Sequence, residues 1–185
     1  EGYYDEVFAM PPMLELLRAR AGSYDGVVVA CFDDTGVDAA RSVTSVPVIG
    51  ICQAAMHAAA TLANSFSVIT TLGRSVPALE HLAVKYGFER ACRSVRASEV
   101  PVLELEEMRD DAVGYIRAEI RAALETDGAE AIVLGCAGMT TLMSRLVKEF
   151  GVPVIDGVGV AVRWVDALAA LGYQTSQAGG YAPPR

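Results

Sequence analysis

At 185 residues, of which 52% are hydrophobic, the chain can bury a sizeable core in one large or two small domains. A formal charge of −8 without clustered Lys and Arg argues against nucleic acid, and no apolar stretch reaches the roughly 18–20 residues of a membrane helix. Four cysteines are too few for a disulfide scaffold, and neither they nor His57 and His81 show metal-site spacing, so reduced thiols in a cytoplasm and no metal are expected.

Apolar runs alternate with helical patterns along the whole chain, which predicts an α/β fold with a mainly parallel sheet. In chain order the elements are a helix over Asp5–Ala21, a strand over Gly26–Ala30, a helix over Val37–Val43 and a strand over Val46–Ile51. A helix over Gln53–Asn64, a strand over Ser67–Thr71, a helix over Val76–Tyr86 and a strand over Arg93–Ala97 follow. Then come a long helix over Glu104–Thr126, a strand over Ala131–Gly135, a helix over Thr140–Phe150, a strand over Val152–Ile155 and a helix over Val158–Leu171. The strands are short and rich in Val and Ile, as strands covered on both faces are.

The chain repeats itself. Asp25-Gly-Val-Val-Val-Ala-Cys31 leads through a helix to Val46-Pro-Val-Ile-Gly50, and Glu130-Ala-Ile-Val-Leu-Gly-Cys136 leads through a helix to Val152-Pro-Val-Ile-Asp-Gly157. Cys31 precedes its Pro-Val-Ile by 16 residues and Cys136 precedes its own by 17. The repeat predicts two pseudo-symmetric three-layer α/β lobes with the active site in the cleft between them. Residues 1–64 with 158–175 form the first lobe, 65–157 the second, and 176–185 a flexible tail rich in Gly and Pro. By the same symmetry the first lobe is expected to lack a strand and helix upstream of Glu1.

In a parallel sheet, residues just past the carboxyl ends of the strands line the ligand crevice. Cys31 and Cys136 both take that place, each directly before a loop and a helix start, where unpaired N–H groups favour thiolate over thiol. A single cysteine on an apolar strand usually only packs. Two at matched positions of a repeat point to chemistry on one carbon from two sides. Cys52 lacks a counterpart in the second half and reads as packing, although Gln53 beside it is placed to reach a ligand. Cys92 reads as structural, and His57 as a packed or interfacial histidine on an Ala-rich helix face suited to close packing or an oligomer interface.

Five ordered segments carry a resemblance to a known family. Ala-Cys31-Phe-Asp-Asp-Thr-Gly36, Pro47-Val-Ile-Gly-Ile51, Ser67-Val-Ile-Thr-Thr-Leu72 with Arg74-Ser-Val-Pro77, Leu134-Gly-Cys-Ala-Gly-Met139 and Pro153-Val-Ile-Asp-Gly-Val158 resemble the hydantoin racemases of the aspartate/glutamate racemase superfamily, which also include allantoin racemases. The resemblance implies a cofactor-independent racemase of 5-monosubstituted hydantoins. Cys31 and Cys136 are then acid and base on opposite faces of C5. It also implies a homo-oligomer. Family members usually begin with a strand ending in an Asn-Pro-Asn-type loop, which this chain does not contain.

An enolate forms beside C5 in such a reaction and needs donors aimed at its oxygen. The candidates are the backbone N–H groups of Phe32 and of the turn through Asp33, Asp34 and Thr35, and those of Ala137, Gly138 and Met139. Phe32 and Met139 are also placed to shape the side-chain pocket. The resemblance implies that Thr70 and Thr71 offer hydroxyls to the substrate; the alternative is that they cap the following helix. Asp33 and Asp34 read as ordering the Cys31 loop, Asp156 as bracing the cleft, and Arg74 as a surface ion pair. Another superfamily reaction, such as amino-acid racemisation, decarboxylation or isomerisation, is the alternative within enzymes. A catalytically silent ligand-binding homologue is the alternative outside them.

Overall fold

The computed structural model of the chain describes residues 2–106 and 110–184. Its elements are α1 (Tyr3–Arg20), β1 (Val27–Val29), α2 (Val37–Arg41), β2 (Val48–Gly50), α3 (Ile51–Leu62), β3 (Phe66–Thr70), α4 (Val76–Lys85) and β4 (Cys92–Ala97). They continue with α5 (Val102–Glu106), α6 (Asp110–Glu125), β5 (Ala131–Leu134), α7 (Met143–Phe150), β6 (Val154–Asp156) and α8 (Gly157–Ala170). All strand pairs are parallel, in a two-stranded sheet β1-β2 and a four-stranded sheet of order β4-β3-β5-β6. The α/β class with parallel sheets is therefore observed.

Strand alternation decides which side chains meet which helices. Phe66 and Val68 of β3, Ala131 and Val133 of β5 and Ile155 of β6 join Ile51, Ala55 and Met56 of α3, Leu79 of α4 and Ala161 of α8 in one core. Ile69, Ile132, Leu134 and Val154 face the other way, into Ile116 and Ile120 of α6 and Leu146 of α7. The larger sheet is thus the middle of three layers, and each fully buried Ile or Phe adds roughly 1.5–3 kcal/mol of transfer free energy. The smaller sheet is covered on one face by Met13, Leu14 and Leu17 of α1. On its other face Val28 and Ile49 meet Trp164, Val165 and Leu168 of α8.

Several boundaries differ from the sequence reading. The helix expected to run through Glu104–Thr126 is observed as α5 and α6, with 107–109 outside the described residues. The helix expected from Thr140 begins at Met143, because a 3-10 turn over Ala137–Leu142 intervenes. Helix α3 begins at Ile51 rather than Gln53, and its first-turn N–H groups find a carboxylate from a distant loop. On the Ala-rich helix α3, Ala54, Ala55 and Ala59 are wholly buried in the chain's own core, and α3 packs along α8. Described residues within the stretch read as a flexible tail, 176–185, make contacts with the fold, as does Thr175 before it. Thr175 N–H donates to Ser45 O at 2.8 Å, Gln177 Nε2 to Thr44 O at 3.1 Å and Tyr181 O–H to Asp38 at 3.1 Å. No helix among the described residues is long and apolar enough to cross a membrane.

Candidate active site

The carboxyl ends of β1, β3 and β5 open onto one cavity of about 460 Å³, roofed by α1 through Gly2, Glu6, Ala9 and Met13. That volume lies in the range of small-molecule sites. Cys31 and Cys136 both line it, and with them Phe32, Asp33, Thr70, Thr71, Ala137 and Gly138. The repeat therefore does what a two-sided site requires: each half delivers a thiol to the same space.

Each thiol is placed by local backbone geometry. Cys31 follows β1 in a turn closed by Asp34 N–H donating to Cys31 O at 3.0 Å, and its Sγ lies 3.3 Å from the Thr35 hydroxyl. Cys136 caps the 3-10 turn Ala137–Leu142, whose first N–H groups have no partner within that turn. Gly135 before it has no room for a side chain, since a Cβ would lie 2.9 Å from Ile69 O and 3.0 Å from Thr70 Cα. This close approach is sealed by the Thr70 hydroxyl, which donates to Gly135 O at 3.3 Å. Thr70 thus reaches the cavity with its proton committed to the backbone. Gly138 sits beside Cys136, where an added Cβ would lie 3.6 Å from Sγ.

Met139 departs from the sequence reading. Its side chain is wholly buried in the α6 core, and its N–H donates to Cys136 O at 3.1 Å, so neither faces the cavity. The 3-10 turn explains this, because its third residue turns back under the strand. Gln53 does not reach the cavity either; its Oε1 accepts from Arg41 at 2.7 Å. His57 is packed, edge-on to Phe88 at 4.8 Å and beside Trp164 at 5.2 Å. Cys52 is fully buried, and burial followed by the nearby Asp34 charge pushes its thiol well above the ordinary range. Asp156 caps α8 and accepts the Thr140 hydroxyl at 2.7 Å.

The electrostatics of the cavity are acidic. Asp5, Glu6 and Asp33 line it, and no Lys or Arg does so among the described residues. Burial, then the Glu6 and Asp34 charges, push the Asp33 carboxyl up to about 6. Sequence reasoning missed Glu6, because nothing marks which face of α1 turns to the cleft. It named Thr35 only for its backbone, although the hydroxyl is what meets Cys31.

A protein-family model described as Asp/Glu/Hydantoin racemase matches residues 1–165. The chain belongs to this family. It is 54% identical to a hydantoin racemase of Rhizobium meliloti over all of this chain and 77% of that protein. It is 40% identical to a hydantoin racemase of a Pseudomonas strain, again over the whole chain and 74% of the relative. Among solved structures, the allantoin racemase of Klebsiella pneumoniae superposes with a TM-score of 0.95 at 46% identity, covering 100% of this chain and 76% of that one. Within the racemase family, then, likeness in sequence and in fold extends over the whole of the chain.

Proposed function

We propose that the protein interconverts D- and L-5-monosubstituted hydantoins by proton transfer at C5, with Cys31 and Cys136 as the two acid–base groups. The observation that carries the reading is the arrival of both thiols, from matched strand ends, on one cavity. One sulfur, as thiolate, takes the C5 proton and leaves its bonding pair as an enolate on the neighbouring carbonyl. The other, as thiol, gives its proton to the opposite face, and the enzyme is left with the two protonation states exchanged. Hydantoin C5 is acidified by its adjoining carbonyl, so the chemistry asks for no electron-sink cofactor. Backbone N–H groups at Phe32, Asp33, Ala137 and Gly138 are the donors for the enolate oxygen, and Thr71 supports the ring edge. The names of the relatives support hydantoin as substrate, and that of the Klebsiella structure supports allantoin, itself a 5-substituted hydantoin, as a second.

Loss of optical rotation from a single enantiomer, with deuterium entering C5 in heavy water, tests the activity. Cys31→Ser and Cys136→Ser should each lower racemisation by about 10²–10⁴-fold, the range for removing an acid–base group. Racemisation left intact in either variant sinks the two-thiol assignment. A cytoplasmic location and a homo-oligomer belong to the same proposal; light scattering of the purified protein reads the latter. Exposed Tyr4 and Phe8 on α1 support it as an apolar contact surface.

A further inference from the structure

Each thiol-bearing loop is fastened to the N-terminus of a helix by a carboxylate, and the two fastenings run in opposite directions. In the first half the carboxylate sits on the loop itself. Asp34, three residues after Cys31, is only 6% exposed and takes a left-handed φ of 47°. It accepts the N–H groups of Cys52 at 3.0 Å and Gln53 at 2.9 Å, in the first turn of α3, and the Tyr86 hydroxyl at 2.6 Å. Its own N–H closes the turn onto Cys31 O at 3.0 Å, and its C=O receives Val37 N–H at 3.2 Å. Gly50 makes room for it, since a Cβ there would lie 2.2 Å from Asp34 Oδ1.

In the second half the carboxylate sits on the strand end and the loop supplies the donor. Asp156 accepts Val158 N–H at 3.1 Å and Gly159 N–H at 2.9 Å at the start of α8. The same side chain receives the hydroxyl of Thr140, four residues after Cys136, at 2.7 Å. None of Asp34, Tyr86, Asp156 and Thr140 lines the cavity, whereas Asp33 and Thr35 on either side of Asp34 do.

We infer that Asp34 is the positioning residue for Cys31, and that Asp156, through Thr140, is the positioning residue for Cys136. The inference rests on the assignment of the two thiols as acid and base. Proton transfer to and from one carbon tolerates little misplacement, so each sulfur must be held by more than its own short turn. Hydrogen bonds to an ionised acceptor are stronger than neutral ones and suit that task. Seating each carboxylate on a helix N-terminus offsets part of its charge. The Cys31 Sγ–Thr35 contact is set by the same turn and moves with it.

The test uses four variants: Asp34→Asn and the milder Tyr86→Phe for the first anchor, Asp156→Asn and the milder Thr140→Val for the second. For each, kcat and KM are measured with one hydantoin enantiomer. Iodoacetamide labelling of Cys31 and Cys136 is followed separately by peptide mass spectrometry, with circular dichroism checking the fold. The expected result is a kcat loss of about tenfold or more with KM nearly unchanged, because misplacement costs transition-state geometry. Labelling should change by about threefold or more only at the thiol whose anchor is cut, since access and thiolate fraction are local to each loop. The inference is overturned if both thiols respond alike to every variant, if neither responds, or if all four variants keep the parent kcat. Labelling that changes only at the thiol whose anchor is cut, in a protein that racemises no hydantoin, would leave the anchors standing and remove the catalytic reading instead.

Discussion

Replacing Asp33 with Asn removes a carboxyl that folding draws partway out of water. In the folded chain its pKa rises from the ordinary 3.8 to about 6, through burial first and the Glu6 and Asp34 charges next. A raised carboxyl favours folding in its protonated form. Its contribution is therefore complete below pH 4, is lost as the pH rises through 6, and is constant above that. At roughly 1.4 kcal/mol per tenfold change in the proton equilibrium, the full displacement corresponds to about 3 kcal/mol. Because Asp33 borders an open cavity, solvent screening reduces this to about 1 kcal/mol. Asp33→Asn cannot ionise, so it should be more stable than the parent at pH 7.5 by about 1 kcal/mol, or about 2–4 °C in Tm for a chain of this size. The advantage should shrink towards pH 4.5. Thermal unfolding by circular dichroism at four pH values between these limits measures it. A difference that does not vary with pH, or a variant less stable than the parent at pH 7.5, refutes the reasoning.

Other outcomes follow from the same geometry. The acidic lining of Asp5, Glu6 and Asp33 should repel a carboxylate on the C5 substituent. Hydantoin derived from aspartate should therefore show kcat/KM at least about tenfold below that derived from phenylalanine, and equal values would contradict the charge argument. Gly157→Ala places a Cβ 2.4 Å from Ile51 O, where α8 meets α3. It should cost about 1–3 kcal/mol as overpacking, read from the urea midpoint; an unchanged midpoint would show that α8 is free to shift. Cys52, buried and held as thiol, should resist iodoacetamide in the native protein and react only after denaturation, unlike Cys31. Native labelling of Cys52 would show that the core around α3 opens.

Much of this fold is written locally. The Val- and Ile-rich runs of β3 and β5 are apolar on both faces because both faces are covered, and periodicity alone identifies them. The thiol pair was legible because a repeat compares the chain with itself. What periodicity cannot show is how a tight turn spends its backbone. Met139 follows Cys136 closely enough to be read as a donor, yet one turn of 3-10 helix sends its N–H back to Cys136 O. Glu6 was invisible for a different reason. Its role depends on how α1 docks over the cleft, and α1 contributes no buried residue whose spacing would reveal its inward face.

The two fastenings differ in where the carboxylate stands in the sequence. Asp34 follows its cysteine by three residues, whereas Asp156 follows Cys136 only after a turn, a helix and a strand, so no alignment of the halves pairs them. Both nevertheless solve one physical problem, which is to satisfy the first-turn N–H groups of the helix after the Pro-Val-Ile strand. Where that strand ends in Gly50, the acceptor must come from elsewhere, and the Cys31 loop supplies it in the space a side chain would fill. Where it ends in Asp156, the cap is already present, and the Cys136 loop needs only a hydroxyl to join it. A carboxylate shared between loop and helix is thus preserved while its position in sequence is exchanged. Gly50 and Asp156 should accordingly not be interchangeable: Gly50→Asp would bring a second carboxylate against the buried Asp34, and loss of the native fold is the expected result.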